Sequence, residues 1–572
     1  MSVLRDHYYT LASEVPQERL EAATKLLSEL SEVNKTEEWD YALNRLIKGL
    51  TTLRQLARFG FSMALTEVVR ELVTKQDYEL SVETFLDKIM AATSVSAGMK
   101  GKEVRPTLFG RLFGFQALVN SQLLLNAETS SQETLQKFVK LIVELSGQKA
   151  WLRETAMFTL CQFFGAYLES EFVEDGTTTN FLQTISDEGL AFTTEGLAVV
   201  MTIPQESRAR VLSGVVANKQ WKHADPMARG NLPDLAKVLK EVDAVEEDAA
   251  EGDKAVKTAK QKGTWSPRIP FVWDLIVRHF ATESGEKDTD VEAVEGLKKR
   301  KKTSSAGKKK AKVESAVEFF PFKEFWKAAV DDSMFSEKLS AERKFWGFEI
   351  FIKFLQSLPA NMVTHLYSPN LMRCLINQAA QPNRLLNKVS TKTINTIIET
   401  AHADLTKVVP SLTAVIDESR GGGWKFDHLL KLKLSDALIG VLGYLETPEN
   451  VPQVTAEKLV SEIAQTLIEK FELALHIQAT VDDDDKKMSN DNILKWVLDK
   501  LSVLFRSTKR YTLKTGPMED VFKFLLQHAF FKTETGQNVS ANVLKLVQDR
   551  LNAFLSEFIS KKRKDHSWSL YC

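Results

Sequence analysis

The stretch Glu37 to Leu72, EEWDYALNRLIKGLTTLRQLARFGFSMALTEVVREL, limits the possible folds more than any other part of this chain. Trp39, Leu43, Leu46, Ile47 and Leu50 recur at i, i+4, i+7, i+8 and i+11, one face of a helix. Gly49, Thr51 and Thr52 interrupt the pattern. Thr52, with Gln55 three residues on, has the capping-box spacing that opens a second helix. The apolar face of that helix is expected to run through Leu53, Ala57, Phe61, Ala64, Leu65, Val68 and Leu72. Two amphipathic helices joined so tightly run antiparallel, and a lone pair cannot bury its apolar face. It needs stacked neighbours.

The chain supplies them. Arg58–Leu65, RFGFSMAL, is answered by Arg111–Leu118, RLFGFQAL, and more weakly by Trp151–Leu160, WLRETAMFTL. These spacings, roughly 40 to 55 residues, match the two-helix HEAT or armadillo period. Helical patterns also cover 18–32, 82–93, 182–203, 206–216, 232–242 and 270–280. After a charged interval they resume at 319–336, 342–358, 385–401, 428–446, 456–475, 493–505, 518–531 and 541–559. Gly, Ser and Pro mark 94–106 as a loop, and 481–491, VDDDDKKMSND, as an acidic one. No run of strands is bounded by hairpin turns. With 572 residues, too many for one core, the expected architecture is an all-α, HEAT/armadillo-like helical-repeat solenoid.

One interval breaks the array. Residues 283–316, ESGEKDTDVEAVEGLKKRKKTSSAGKKKAKVESA, pass from acidic to strongly basic with almost no large apolar side chain, the composition of a disordered linker. The expected organisation is a first array over 1–282, the linker over 283–316, a second array over 317–560 and a basic, irregular tail over 561–572. A further acidic patch, 241–253, reads as solvated.

Net charge is −1, so any electrostatic signal is local. In the linker, Lys298, Lys299, Arg300, Lys301 and Lys302 are separated by TSSAG from Lys308, Lys309, Lys310 and Lys312. The arrangement resembles a bipartite nuclear localisation signal, and mobile lysines also neutralise phosphates without reading sequence. Lys561, Lys562, Arg563 and Lys564 could serve either role. On the helices, Arg45, Arg54, Arg58, Arg105, Arg111 and Arg153, with Lys48 and Arg70, fall on or near polar faces. Aligned from repeat to repeat they would form a basic groove able to track RNA or DNA; the alternative is ordinary surface charge. Aromatic residues at helical spacing, such as Phe345, Trp346, Phe348 and Phe351, read as core.

Other chemistry is poorly supported. Cys161, Cys374 and Cys572 are too dispersed for a disulfide scaffold or a zinc cluster and suit a reducing compartment. The opening MSVLRDHYYTLASEVPQ lacks a signal peptide's apolar core, and no apolar run reaches about 18 residues, so a soluble intracellular protein without a membrane partner is expected. There is no G-x-x-x-x-G-K-[ST] and no H-E-x-x-H. Gly421-Gly422-Gly423 lacks the following Lys-Ser/Thr of a phosphate loop and reads as a flexible connection. His279, His402 and His476 have no metal-ligand partner at i+3 or i+4. No metal, cofactor, small-molecule substrate or catalytic residue is expected.

The echoing stretches also carry a family likeness. DYALNRLIKGL and ARFGFSMALTEV within 40–68, LFGRLFGFQALVNSQLL (108–124) and KAWLRE (149–154) resemble the nucleolar DNA polymerase V (polymerase phi) family. So do FVWDLI (271–276), FFPFKEFWKAAVDDSMFS and ERKFWGFEIF within 319–351, and NQAAQPNRLLNKVSTKT (377–393). The resemblance implies a nucleolar, nuclear protein that associates with ribosomal DNA, pre-rRNA and ribosome-assembly factors and supports rRNA synthesis and large-subunit assembly. The basic linker would engage an import receptor. Family members are typically longer and carry a strongly acidic segment, so Asp482–Asp485 reads as its remnant or beginning, and the chain as a fragment or the product of an early-terminated gene.

The family name invites a polymerase test. Ser569-Leu570-Tyr571 partly matches D-x-x-S-L-Y-P-S, but Asp565 is one position too far upstream and no proline follows; Y-x-D-T-D-S is absent. Paired carboxylates on strands, needed to hold two metal ions, are therefore not supplied. The expectation is a non-catalytic scaffold. The alternatives are a HEAT-type nuclear transport receptor or adaptor and, less favoured by the residues, an active B-type DNA polymerase.

Overall fold

The computed structural model describes residues 3–75, 78, 80–96, 98–216, 221–240, 266–283, 318–430, 433–444, 452–480, 484–508, 516–531 and 540–564. The basic clusters at 298–312, the acidic patch at 241–253 and the end of the chain at 565–572 lie outside them. Of Lys561–Lys564 the backbone is described, as the last turn of a helix. Among the described residues there is no strand, only an isolated bridge between Ala228 and Phe319. No described helix is long and apolar enough to cross a membrane.

The chain divides into two compact units, one running to His279 and taking in 318–320, the other starting at Phe280 and resuming at Pro321. The first unit opens with α1 (Asp6–Thr10), α2 (Pro16–Val33), α3 (Thr36–Leu50), α4 (Gln55–Thr74), α5 (Val82–Ala92) and α6 (Gly101–Ser121). It continues with α7 (Gln132–Gln148), α8 (Ala150–Tyr167), α9 (Asp175–Asp187), α10 (Thr194–Thr202), α11 (Gln205–Ser213) and α12 (Leu232–Lys240); the division falls within α13 (Val272–Glu283).

The antiparallel pair has the expected form: the Lys75 ammonium, just past α4, stands 4.4 Å from the ring of Trp39 in the first turn of α3. All five apolar positions of α3 are buried, as are Ala57, Phe61, Ala64, Leu65, Val68 and Leu72 of α4. Leu53 is not: it lies in the turn before α4 and is 77% exposed. Nor is Thr52 the N-cap. Arg54 occupies that position, and the Thr52 hydroxyl accepts from the Arg54 N–H at 3.4 Å in a local turn.

Neighbouring pairs stack in two rows. Helices α3, α5, α7, α9 and α11 pack successively in one, and α4, α6, α8 and α10 in the other. That is a helical-repeat solenoid, each element burying its face mainly on the next. Where α4 passes the end of α1, Gly60 is required: a Cβ there would stand 1.9 Å from the carbonyl oxygen of Leu11.

The second unit comprises α14 (Phe322–Phe325), a π-helical segment (Trp326–Asp331), α15 (Asp332–Met334), α16 (Ala341–Ser357), α17 (Ala360–Leu366), α18 (Pro369–Ala379), α19 (Asn387–Ala403) and α20 (Val408–Val415). It ends with α21 (Trp424–Leu429), α22 (Leu434–Ile439), α23 (Val441–Tyr444), α24 (Gln453–Thr480), α25 (Asp484–Ser507), α26 (Gly516–Phe530) and α27 (Ala541–Lys564). Again two rows form: α16, α19, α22, α25 and α27 against α17, α20, α24 and α26.

Several boundaries differ from expectation. The loop assigned to 94–106 is short, because α6 begins at Gly101 and carries Pro106 in its second turn. Proline removes the bond to the Lys102 carbonyl, but buried Leu108, Leu112 and Phe115 hold the helix beyond it. The helix expected over 182–203 breaks at Gly189 (φ +71°), and α10 restarts with the Thr193 hydroxyl accepting from the Gly196 N–H at 3.1 Å. The expected 428–446 helix is three short ones, with Lys433 in the left-handed region (φ 40°). Of the expected acidic loop, 481–483 lie outside the described residues and α25 begins at Asp484.

Candidate nucleic-acid interface

The row containing α4, α6 and α8 places the predicted arginines other than Arg45. Ser62 donates to the carbonyl of Phe113, and Arg70 Nε to that of Ser121, each pair 51 residues apart, so α4 and α6 run parallel and side by side. The same offset carries Arg54 to Arg105 (105 − 54 = 51), at the N-terminal ends of these two helices. Both side chains are exposed. Arg45 on α3 and Arg153 in the first turn of α8 are half-buried.

Two members of the predicted groove are not on the surface. Arg111 is 6% exposed, and it donates from Nε to the Thr93 hydroxyl at 3.1 Å and from Nη2 to the Thr93 carbonyl at 2.6 Å. Thr93 is the C-cap of α5, so this guanidinium satisfies a helix end instead of facing a ligand. Arg58 is 8% exposed and donates from Nη1 to the Thr52 carbonyl at 2.7 Å, tying the α3–α4 turn to α4. Burial lowers the pKa of both arginines; the nearby charge of Arg105 adds to this at Arg58, whereas Glu144 opposes it at Arg111. Their sequence phase held the signal. Arg58 precedes Phe61 and Leu65 by three and seven residues, and Arg111 precedes Phe115 and Leu118 by four and seven, the spacing of core positions.

What the residue pattern did not reveal is the part played by rings. The Arg58 guanidinium stands 5.0 Å from the centroid of Phe109. Arg105 stands 5.8 Å from Phe109 and 4.8 Å from Trp151, and those two rings are 5.1 Å apart. Phe59, 48% exposed, meets Phe113 edge to face at 5.4 Å. These aromatic residues therefore lie at the margin of the core, whereas Trp346, Phe348 and Phe351 are buried as expected and Phe345, also expected there, is half-buried.

In the second unit a cleft of about 590 Å³ is lined by Trp424, Asp427, Asp436, Trp496, Lys500 and Arg550, among others. Its buried polar groups serve one another: Asp427 accepts from Lys500 at 2.7 Å, from Trp496 Nε1 at 3.0 Å and from the Ser435 N–H at 3.2 Å. That network joins α21, α22 and α25. The glycine run is a tight turn, not a flexible connection. Gly421 and Gly423 have φ of +87° and +83°, and a Cβ on Gly422 would stand 2.0 Å from the Val415 carbonyl oxygen. Among the described residues no three His, Cys, Asp or Glu side chains are grouped to hold a metal ion.

The family model for DNA polymerase phi matches residues 41–572. The chain belongs to the DNA polymerase phi family. Within it, the chain is 33% identical over 98% of its length to the rDNA transcriptional regulator POL5 of Saccharomyces cerevisiae, and 29% identical over 74% to pol5 of Schizosaccharomyces pombe. Human Myb-binding protein 1A is 34% identical over 26% of this chain. The chain spans about half the length of the budding-yeast relative (53%) and less of the fission-yeast one (38%). A crystal structure of importin beta aligns over 98% of this chain and 63% of its own at 14% identity and a TM-score of 0.30, too low to support the transport-receptor alternative.

Proposed function

We propose that this member of the polymerase phi family is a nucleolar helical-repeat scaffold that regulates ribosomal DNA transcription without catalysis of its own. It contacts ribosomal DNA or pre-rRNA particles and ribosome-assembly factors, supporting rRNA synthesis and large-subunit assembly. The observation that carries this reading is the 33% identity, across 98% of the chain, with a yeast protein described as an rDNA transcriptional regulator. The basic clusters Lys298–Lys302 and Lys308–Lys312 support nuclear entry through an import receptor, and Lys561–Lys564 extend the basic character at α27. Their charge also suits salt-sensitive contact with phosphates.

Three measurements test the reading: localisation, crosslinking and primer extension. A tagged chain should concentrate in the nucleolus and crosslink to ribosomal DNA or pre-rRNA. Deletion of 298–312 should shift it toward the cytoplasm, and unchanged nucleolar retention would refute the assignment of the import signal. Primer extension by the purified chain should give no synthesis. Synthesis that disappears when Asp482–Asp485 are replaced by alanine would overturn the non-catalytic reading.

A further inference from the structure

Across the row of α4, α6 and α8, guanidinium groups and aromatic rings come together in the order Arg58, Phe109, Arg105, Trp151, joined by the contacts of 5.0, 5.8 and 4.8 Å. Two observations separate this cluster from ordinary surface charge. Arg105 is exposed and, among the described residues, makes no hydrogen bond or ion pair; its packing against the two rings orients it and leaves its N–H groups to solvent. Arg58 is buried, its Nε has no acceptor, and the charge acting on it is that of Arg105, of the same sign.

Several other cations of the same unit are neutralised. Arg70 pairs with Glu67, Lys137 with Glu83 and Asp87, Arg208 with Asp225, and Arg210 with Asp175. Two adjacent guanidiniums that pair with no carboxylate among the described residues, one of them desolvated, raise the local potential and invite an anion. Beside them stands the half-exposed ring of Phe59, propped on Phe113.

We propose that this ladder binds single-stranded nucleic acid, with Arg105 and the exposed Arg54 gripping the phosphate backbone while unpaired bases stack on Phe59 and Trp151. The inference rests on the nucleic-acid reading given above and places one contact on the folded array, apart from the linker. Charge alone would accept a duplex or an acidic peptide. The interleaved rings favour a single strand, because only unpaired bases expose faces for stacking, and aromatic-plus-arginine surfaces serve that purpose. A duplex offers its phosphates but keeps its base faces covered.

Fluorescence anisotropy with the full chain tests this, using a labelled 15-nucleotide RNA, the DNA strand of the same sequence and the corresponding duplex. Arg105→Glu and Phe59→Ala should each weaken single-strand binding about tenfold and duplex binding less than about twofold. The RNA and DNA arms show which sugar is preferred. Arg105→Lys, which keeps the charge and loses the planar stacking group, should remain several-fold weak. Both altered positions are exposed, so circular dichroism and melting should match the parent chain.

Wild-type binding by both variants, with binding lost when the basic residues of 298–312 become alanine, would overturn the ladder and leave the proposed function standing. Equal loss for duplex and single strand would reduce the site to unspecific charge and overturn the inference. Failure of the parent chain to bind any of the three probes would sink the ladder together with the direct nucleic-acid contact. Arg105-dependent binding of polyglutamate in place of the oligonucleotides would make the face a protein site, again overturning the proposal.

Discussion

The Ser368 hydroxyl donates to Asp331 Oδ1 at 2.6 Å, joining the end of the π-helical segment to the residue before α18. The same carboxylate oxygen accepts the Leu371 N–H at 3.0 Å, and the indole of Trp326 donates to Ser368 Oγ at 3.3 Å. Asp331 thus supplies, from another helix, the N-terminal cap that α18 lacks in its own N-cap side chain. The wider turn of the π segment belongs to the stretch that carries Asp331 to that position.

Asp331→Ala should therefore destabilise the second unit by about 2–4 kcal/mol, since it leaves a buried hydroxyl and a helix-end amide without an acceptor. Asp331→Asn, which keeps an acceptor, should lose about half as much. Hydrogen exchange followed by mass spectrometry on peptides covering α18 checks this, and unchanged protection in Asp331→Ala would refute the capping role.

Lys407 does for a C-terminus what Asp331 does for an N-terminus. It is 5% exposed and donates from Nζ to the carbonyls of Leu355 at 2.9 Å and Gln356 at 3.1 Å, in the last turn of α16. Burial lowers its pKa, with Asp404 opposing. Lys407→Met should cost about 1–3 kcal/mol by orphaning two carbonyls. Urea titration followed by tryptophan fluorescence measures the loss; a midpoint equal to that of the parent chain would show that water replaces the ammonium.

The helical architecture was legible because 3.6-residue periodicity needs no tertiary knowledge: Trp39, Leu43, Leu46, Ile47 and Leu50 are all buried as their spacing required. The misassigned elements are those where long-range packing overrides local preference. Pro106 is carried inside α6 by the burial around it, while Gly189 and Lys433 break helices that hydrophobicity alone would continue. The candidate interface was legible in part. Arg54 and Arg105 are exposed, but Arg58 and Arg111 go inward: their phase beside core positions was readable, whereas the backbone carbonyls that receive their N–H groups were not. Trp151 reaches Arg105 only through the stacking of α8 on α6.

Histidine gives the second unit a pH response. His528 is 6% exposed, packed against Phe471 and Phe524 with centroids 5.2 and 4.8 Å away, and burial lowers its pKa. The unfolded chain takes up a proton near the ordinary histidine value of about 6.5, whereas the folded one resists it. The stabilising effect of keeping this ring neutral is full above that pH and is lost as pH falls below it. His528→Phe should reduce the drop in melting temperature between about pH 7.5 and 5.5. An identical drop in both proteins would exclude this residue as a source of the response.

Two glycines in the same row of helices should respond to alanine in opposite directions. At Gly60 in α4 the added methyl meets the Leu11 carbonyl oxygen at 1.9 Å, and backbone cannot yield as a side-chain tip can. Gly60→Ala should cost about 1–3 kcal/mol and loosen α1 from α4. At Gly165 nothing lies within 4 Å of the same methyl, and the residue is exposed in the last turn of α8. There the substitution only removes backbone freedom from the unfolded chain, so Gly165→Ala should stabilise by about 0.5–1 kcal/mol. Thermal unfolding of the two variants beside the parent decides the matter. If both shifted the same way, the close contact of Gly60 with Leu11 would not be the reason glycine stands at that position.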